Sequence, residues 1–262
     1  MFSSIFFAAV THATLLVFAF SLGGLVRLHN PKSITNQIFF WFALSIVFWD
    51  VTNFCSLLFA RPPYLNLDHA LLSTRFIMVS GSLITVFMAL FVYVFPKEEA
   101  PFSPKQAVFL SIGSMVYVIS GFFVWIGFDM VKPVSLGSML PATIPSLPTM
   151  PIWGFITIAA TFVSVGYLIK KYRGFEAEDR KRYLSTVIGL SCVALLPVLL
   201  FLPVAIWNDS RINFIGPLVY IPIIYGIGYG VVRHHIFNVK LLYAEVCILA
   251  MAFILFVNIW IP

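Results

Sequence analysis

Charged side chains are scarce in this sequence, making up 10% of its 262 residues, against roughly 25% in a soluble domain. Too few polar groups are present to cover a surface in water. With 61% hydrophobic residues and a mean hydropathy of +1.00, most of the chain must face lipid. That excludes a soluble enzyme, and the polar intervals are too short for a separate soluble domain to fold between the apolar runs. Cysteine is also scarce. Cys55, Cys192 and Cys247 each fall within an apolar run, where a thiol behaves as a small hydrophobe, so neither a disulfide framework nor a metal site is expected. Catalytic signatures are missing: there is no H-E-x-x-H, P-loop, G-x-S-x-G or C-x-x-C, and the membrane carboxylates Asp50 and Glu245 have no metal-ligand spacing. A Schiff-base lysine for retinal is absent from residues 215–232. Haem would need facing histidines, whereas His234 and His235 adjoin at one end and His12 lies toward the other. The sequence therefore predicts no enzyme, no metal and no cofactor.

Long apolar runs are abundant. A membrane helix needs about 20 mainly apolar residues, and eight runs qualify: 5–28, 37–60, 69–95, 107–127, 152–169, 183–206, 215–232 and 243–261. A β-barrel would alternate over segments of about ten residues, which these continuous runs do not. The first run lacks the basic start and A-x-A site of a secretory signal and is longer than a signal core, so it is kept as a span. The expected fold is an all-α, polytopic transmembrane bundle of seven core helices plus an eighth C-terminal span.

Cations set the sidedness. Arg27, Lys32, Lys97, Lys105, Lys170, Lys171, Arg173, Arg180, Lys181, Arg182, Arg233 and Lys240 fall after odd-numbered spans, whereas Arg61, Lys132 and Arg211 fall after even-numbered ones. Cationic loops stay in the cytoplasm, which places the N-terminus outside. Trp125, Trp153, Trp207 and Trp260 fall at the predicted outer helix ends, where tryptophan prefers the interface. The net charge of +6 thus reads as topological, and no nucleic-acid partner is expected.

Two connections stand out. The external interval 128–151 contains Pro133, Pro141, Pro145, Pro148 and Pro151, which favour an extended cap over a helix. It reads as a solvated connector or as a lid over a ligand site. The cytoplasmic stretch 170–182, KKYRGFEAEDRKR, belongs in water or against headgroups, either as a topology anchor or as a contact that passes movement to a partner.

An ionisable side chain inside hydrocarbon costs about 2.5–3.5 kcal/mol on insertion scales and marks a functional candidate. Asp50 lies roughly 15 Å below the outer end of span two and Arg75 roughly 9 Å into span three at 1.5 Å per residue. These spans are consecutive and antiparallel, so the two residues are expected to be able to pair. His12 falls in the same outer half. Asn53 lies one turn from Asp50 and Ser82 two turns from Arg75, extending polar faces. His12, Asp50, Asn53, Arg75 and Ser82 together outline an outward-facing site for ligand binding or gating, or else a neutralised packing pair with a locally bonded histidine. Span seven carries Pro217 and Pro222 in its outer half and Gly226, Gly228 and Gly230 in its inner half. Prolines permit kinks, and the Gly226 and Gly230 pair suits close helix contact, either in a moving element or in simple packing.

The end of span seven, YGIGYGVVRHHIFNVK from Tyr225 to Lys240, resembles the segment that closes the N-terminal seven-helix sensory region of bacterial sensor histidine kinases. Tyr229, Arg233, His235, Ile236, Phe237, Asn238 and Val239 take the places of that family's Tyr, Arg, basic or aromatic residue and aliphatic-Phe-Asp/Asn-aliphatic turn. FWFALSIVFW in span two, RFIMVSGSL in span three and the charged loop leading to Gly189 agree more loosely. The resemblance covers roughly residues 5–242. Near the start of span six the family usually has a Gln, where this chain has Lys181, Arg182 and Tyr183.

The resemblance implies a sensory domain over residues 1–242 of a multi-pass protein of the bacterial cytoplasmic membrane, acting as a homodimer in a two-component system. It would detect an unknown small ligand or a bilayer signal and pass it to a histidine kinase or other output domain, in cis or in trans. Pro217, Pro222, Gly226, Gly230, Arg233, His235, Phe237 and Asn238 would carry the transmission. Residues 243–262 are expected to form an eighth span leading into further regions. A small-molecule or ion transporter using the same polar residues is the alternative.

Overall fold

The computed structural model describes residues 2–59, 64–96, 102–129, 142–145, 149–180 and 183–192, together with Tyr220, Ile224 and Gly226. Long apolar helices dominate: α1 (Phe2–His29), α2 (Ile34–Phe59), α3 (Leu67–Val94), α4 (Pro104–Phe122) and α5 (Thr149–Arg173). All five are long and apolar enough to cross a membrane. A further helix, α6 (Tyr183–Cys192), begins where the sixth span was expected, and Tyr220, Ile224 and Gly226 of the seventh are helical. This is the expected multi-pass helical bundle. Pro217, Pro222, Gly230, Arg233, His235, Phe237, Asn238 and the eighth span lie outside the described residues.

Hydrocarbon offers backbone groups no partner, so helices that close their own hydrogen bonds are favoured. The many hydroxyls follow the same rule. Thr14, Ser45, Thr74, Ser80, Ser82, Thr85, Thr161 and Ser164 each donate to the carbonyl four residues earlier, which lets polar side chains sit in an apolar bundle. Local signals set the ends. Asn66 caps α3 by accepting from the His69 amide, and Ser103 with Gln106 forms a reciprocal capping box at α4, with Pro104 in the first turn.

Span four is corrected from the expected 107–127. The capping box starts α4 at Pro104, and the helix ends at Phe122. Residues 125–129, rich in aromatic and β-branched side chains, instead pair antiparallel as strand β1 (Trp125–Asp129) with β2 (Ala142–Pro145). This hairpin is the one addition to the helical plan among the described residues. Within the interval 128–151, Phe128, Asp129 and Ala142 to Pro145 are thus extended, while α5 already begins at Thr149.

The core runs along α1 through Leu15, Ala19, Leu22 and Val26, and meets Phe39, Phe42 and Ile46 of α2 and Ile84, Met88 and Phe91 of α3. Spacings of three and four keep each set on one helix face. The α1–α2 approach is tight: a Cβ added at Gly23 would stand 2.9 Å from the Ala43 Cβ. At the end of that pair, Asn36 Nδ2 donates to the Val26 carbonyl at 3.0 Å.

The cation-rich end is tied together by Lys171. Its ammonium, in the last turn of α5, donates to the carbonyls of Val92 (3.4 Å), Tyr93 (3.1 Å) and Phe95 at the end of α3. The last carbonyls of a helix have no partner of their own, and a cation suits the negative end of its dipole. Tyr183 at the start of α6 packs against Phe95 (centroids 4.8 Å apart) and Phe175 (5.1 Å). Arg180 donates to the carbonyls of Arg173 and Phe175, which folds the charged stretch back on α5. Lys171→Met is expected to lower the thermal midpoint of the protein in nanodiscs by the equivalent of about 1–3 kcal/mol. Lys32→Met, at an exposed position of the α1–α2 turn, should change it by less than about 0.5 kcal/mol. Equal effects would rule out the cap.

Candidate functional site

Two ionisable side chains meet between α1 and α2. His12 Nδ1 lies 2.7 Å from Asp50 Oδ1, with the residues only 3% and 1% exposed. With the carboxylate ionised it can only accept, and the bonding hydrogen then sits on Nδ1. The opposite ring nitrogen, His12 Nε2, is buried and has no hydrogen-bond partner among the described residues, and the Phe54 ring stands 5.5 Å from the imidazole. Asn53 is buried one turn beyond Asp50, on the same side of α2 by helical spacing. Trp49, next to Asp50 in sequence, packs against Tyr220 of the seventh span at 5.1 Å between ring centroids. The residue next to Asp50 on α2 is thus in ring contact with Tyr220.

The expected Asp50–Arg75 pair is corrected. Asp50 takes His12 as its partner, and the Arg75 guanidinium stands over the Phe122 ring of α4, 5.4 Å from its centroid. Helical phase explains the exchange. Contact between α2 and α3 is made by Phe48 with Phe76 and by Ser56 with Thr74. At 3.6 residues per turn, Asp50 is turned about 200° from Phe48 and about 120° from Ser56. It therefore points away from α3 and toward α1.

Ser82 also belongs elsewhere. It is fully buried, donates to the Met78 carbonyl and accepts from Trp153 Nε1 at 3.0 Å. Beside it the Tyr117 hydroxyl and Thr157 Oγ1 lie 2.5 Å apart, and the Tyr117 ring stacks on Trp153. Gly121 completes this second cluster, because a Cβ there would meet Ser82 Oγ at 2.9 Å and the Met78 carbonyl oxygen at 3.1 Å. Of the predicted site, the structure brings His12 and Asp50 together, keeps Asn53 on their side of α2, and places Arg75 and Ser82 with α4 and α5. Trp49, Phe54 and Tyr220 were missed. Sequence marks them only as aromatic residues among many, although Trp49 adjoins a membrane carboxylate.

Gly226 is the one described residue of the predicted transmission set. A Cβ there would lie 3.3 Å from the Ser185 carbonyl oxygen and 3.6 Å from Gly189 Cα. The seventh span and α6 therefore approach backbone to backbone at a pair of glycines.

No family model and no curated protein matches the chain. Among solved structures it is similar to squid rhodopsin, with 11% identity over 86% of this chain and 78% of that one and a TM-score of 0.42. A likeness of that degree carries no information about residues, ligand or signalling.

Proposed function

We propose that this chain is a membrane-embedded sensory input domain of the bacterial cytoplasmic membrane. It detects an external or membrane-dissolved signal at the α1–α2–span seven junction and passes it to a histidine kinase or other output module, in cis or in trans, as a homodimer. The observation that carries the site is the buried His12–Asp50 pair, whose Nε2 has no partner among the described residues, one residue from the Trp49–Tyr220 contact. A hydrogen-bonding group or a charge arriving at Nε2 changes the balance of that pair. Through Trp49 it biases the position of the seventh helix, whose sequence carries the resemblance to sensor kinases. Such a signal acts only to the extent that it favours one helix arrangement over the other.

The test joins a histidine kinase after residue 242 and reads its phosphorylation in cells while external pH, osmolarity and a set of small molecules are varied. At least one condition should shift the output. His12→Gln and Asp50→Asn should abolish that shift while the protein still reaches the membrane, whereas Arg75→Gln should retain most of it. Pocket variants that respond like the parent would refute the site, and a parent deaf to every condition would refute the sensory assignment.

A further inference from the structure

Helices in a bundle bury one face, yet residues 103–113, three turns of α4, are exposed on every side among the described residues. Phe109 is 78% exposed. α4 meets α5 at Tyr117, Trp153 and Thr157. From there toward the cation-rich end, α5 presents an exposed stripe at helical spacing, Ile156, Val163, Tyr167 and Lys170. On α4, Leu110 and Gly113 fall on the side that carries Tyr117. At the cation-rich end of these two faces three rings lie nearly parallel. Tyr93 of α3 stacks with Phe102 (5.0 Å, 17°) and with Tyr167 (6.1 Å, 16°).

Aromatic rings and lysines at the end of an exposed apolar face are the chemistry of the membrane interface. Lys105 opens α4 and Lys170 closes α5, both exposed, and neither helix contains an acidic residue. Lys171, between them and the end of α3, is already engaged by carbonyls. The two exposed lysines thus lack a counter-charge on either helix. A second copy packed on this face would set the same lysines against each other.

We propose that this exposed face of α4 and α5 binds an anionic phospholipid of the leaflet at the cation-rich end. Its acyl chain lies along Leu110, Val163 and Tyr167, and its phosphate rests between Lys105 and Lys170. The proposal is independent of the signal sensed at His12.

The full chain, placed in nanodiscs of equal phosphatidylglycerol and phosphatidylcholine and released for native mass spectrometry, should retain phosphatidylglycerol over phosphatidylcholine by about tenfold. The double variant Lys105→Gln/Lys170→Gln should bring retention near equality. Lys32→Gln, removing an exposed cation at the same end, should leave the preference unchanged. Equal retention of both lipids by the parent would overturn the site, as would a loss in Lys32→Gln as large as in the double variant. A Phe109→Cys variant that cross-links to a second copy in place of retaining lipid would assign the face to a dimer.

Discussion

His12→Leu is expected to be strongly damaging, costing about 3–5 kcal/mol as the penalty of leaving one member of a buried pair alone. It strands a carboxyl group in an apolar setting. Asp50→Leu should cost less, about 1–3 kcal/mol, because the imidazole left behind has a neutral form and loses one hydrogen-bond partner only. The double variant His12→Leu/Asp50→Leu removes both polar groups, and its stability should return to within about 2 kcal/mol of the parent, as buried pairs replaced by apolar residues often do. Unfolding of the three variants in nanodiscs completes a double-mutant cycle. Additive losses would show that the pair is uncoupled. The double variant also separates packing from sensing: a protein that folds normally yet no longer responds in a kinase fusion has lost a site, whereas one that folds and responds has lost only a packing contact.

The bundle was legible in the sequence because its signal is coarse. An apolar run of about 20 residues has few structures open to it in lipid, and α1 to α6 all begin or run where such runs lie. The ends were less legible. Trp125 to Phe128 are as apolar as the helix before them, so hydropathy alone extended span four, although Ser103 and Gln106 at capping-box spacing already marked where it starts. Within the site, Asp50 stood out as a carboxylate in hydrocarbon, and His12 as a polar residue at the same depth. Which of them pairs depends on the rotation of α2, and that rotation is set by contacts such as Phe48–Phe76 and Ser56–Thr74. No single chain segment reports them. Ser82 was drawn into the pocket by its place on α3, but its face belongs to Trp153 and Gly121.

Gly226→Leu is the second large effect expected, and it bears on how a signal would leave the site. A β-carbon at Gly226 would sit 3.3 Å from the Ser185 carbonyl oxygen and 3.6 Å from Gly189 Cα, so Gly226→Ala requires a shift of a few tenths of an ångström. An isobutyl group must push two backbones apart, because the obstructing atoms cannot rotate away as a side chain would. Overpacking of this kind costs about 1–3 kcal/mol. Gly154→Leu on α5, where an added Cβ meets nothing within 4 Å, is the control and should cost little. If the glycine contact is only packing, Gly226→Leu lowers the thermal midpoint and leaves the kinase fusion responsive. If α6 and the seventh helix move against each other, the same substitution fixes the output at one level under every condition, and Gly226→Ala restores the range. The glycine pair would then be the hinge between the Trp49–Tyr220 contact and the cytoplasmic segment. A responsive Gly226→Leu fusion with normal stability would mean that the two backbones are free to separate and that the close approach serves neither purpose.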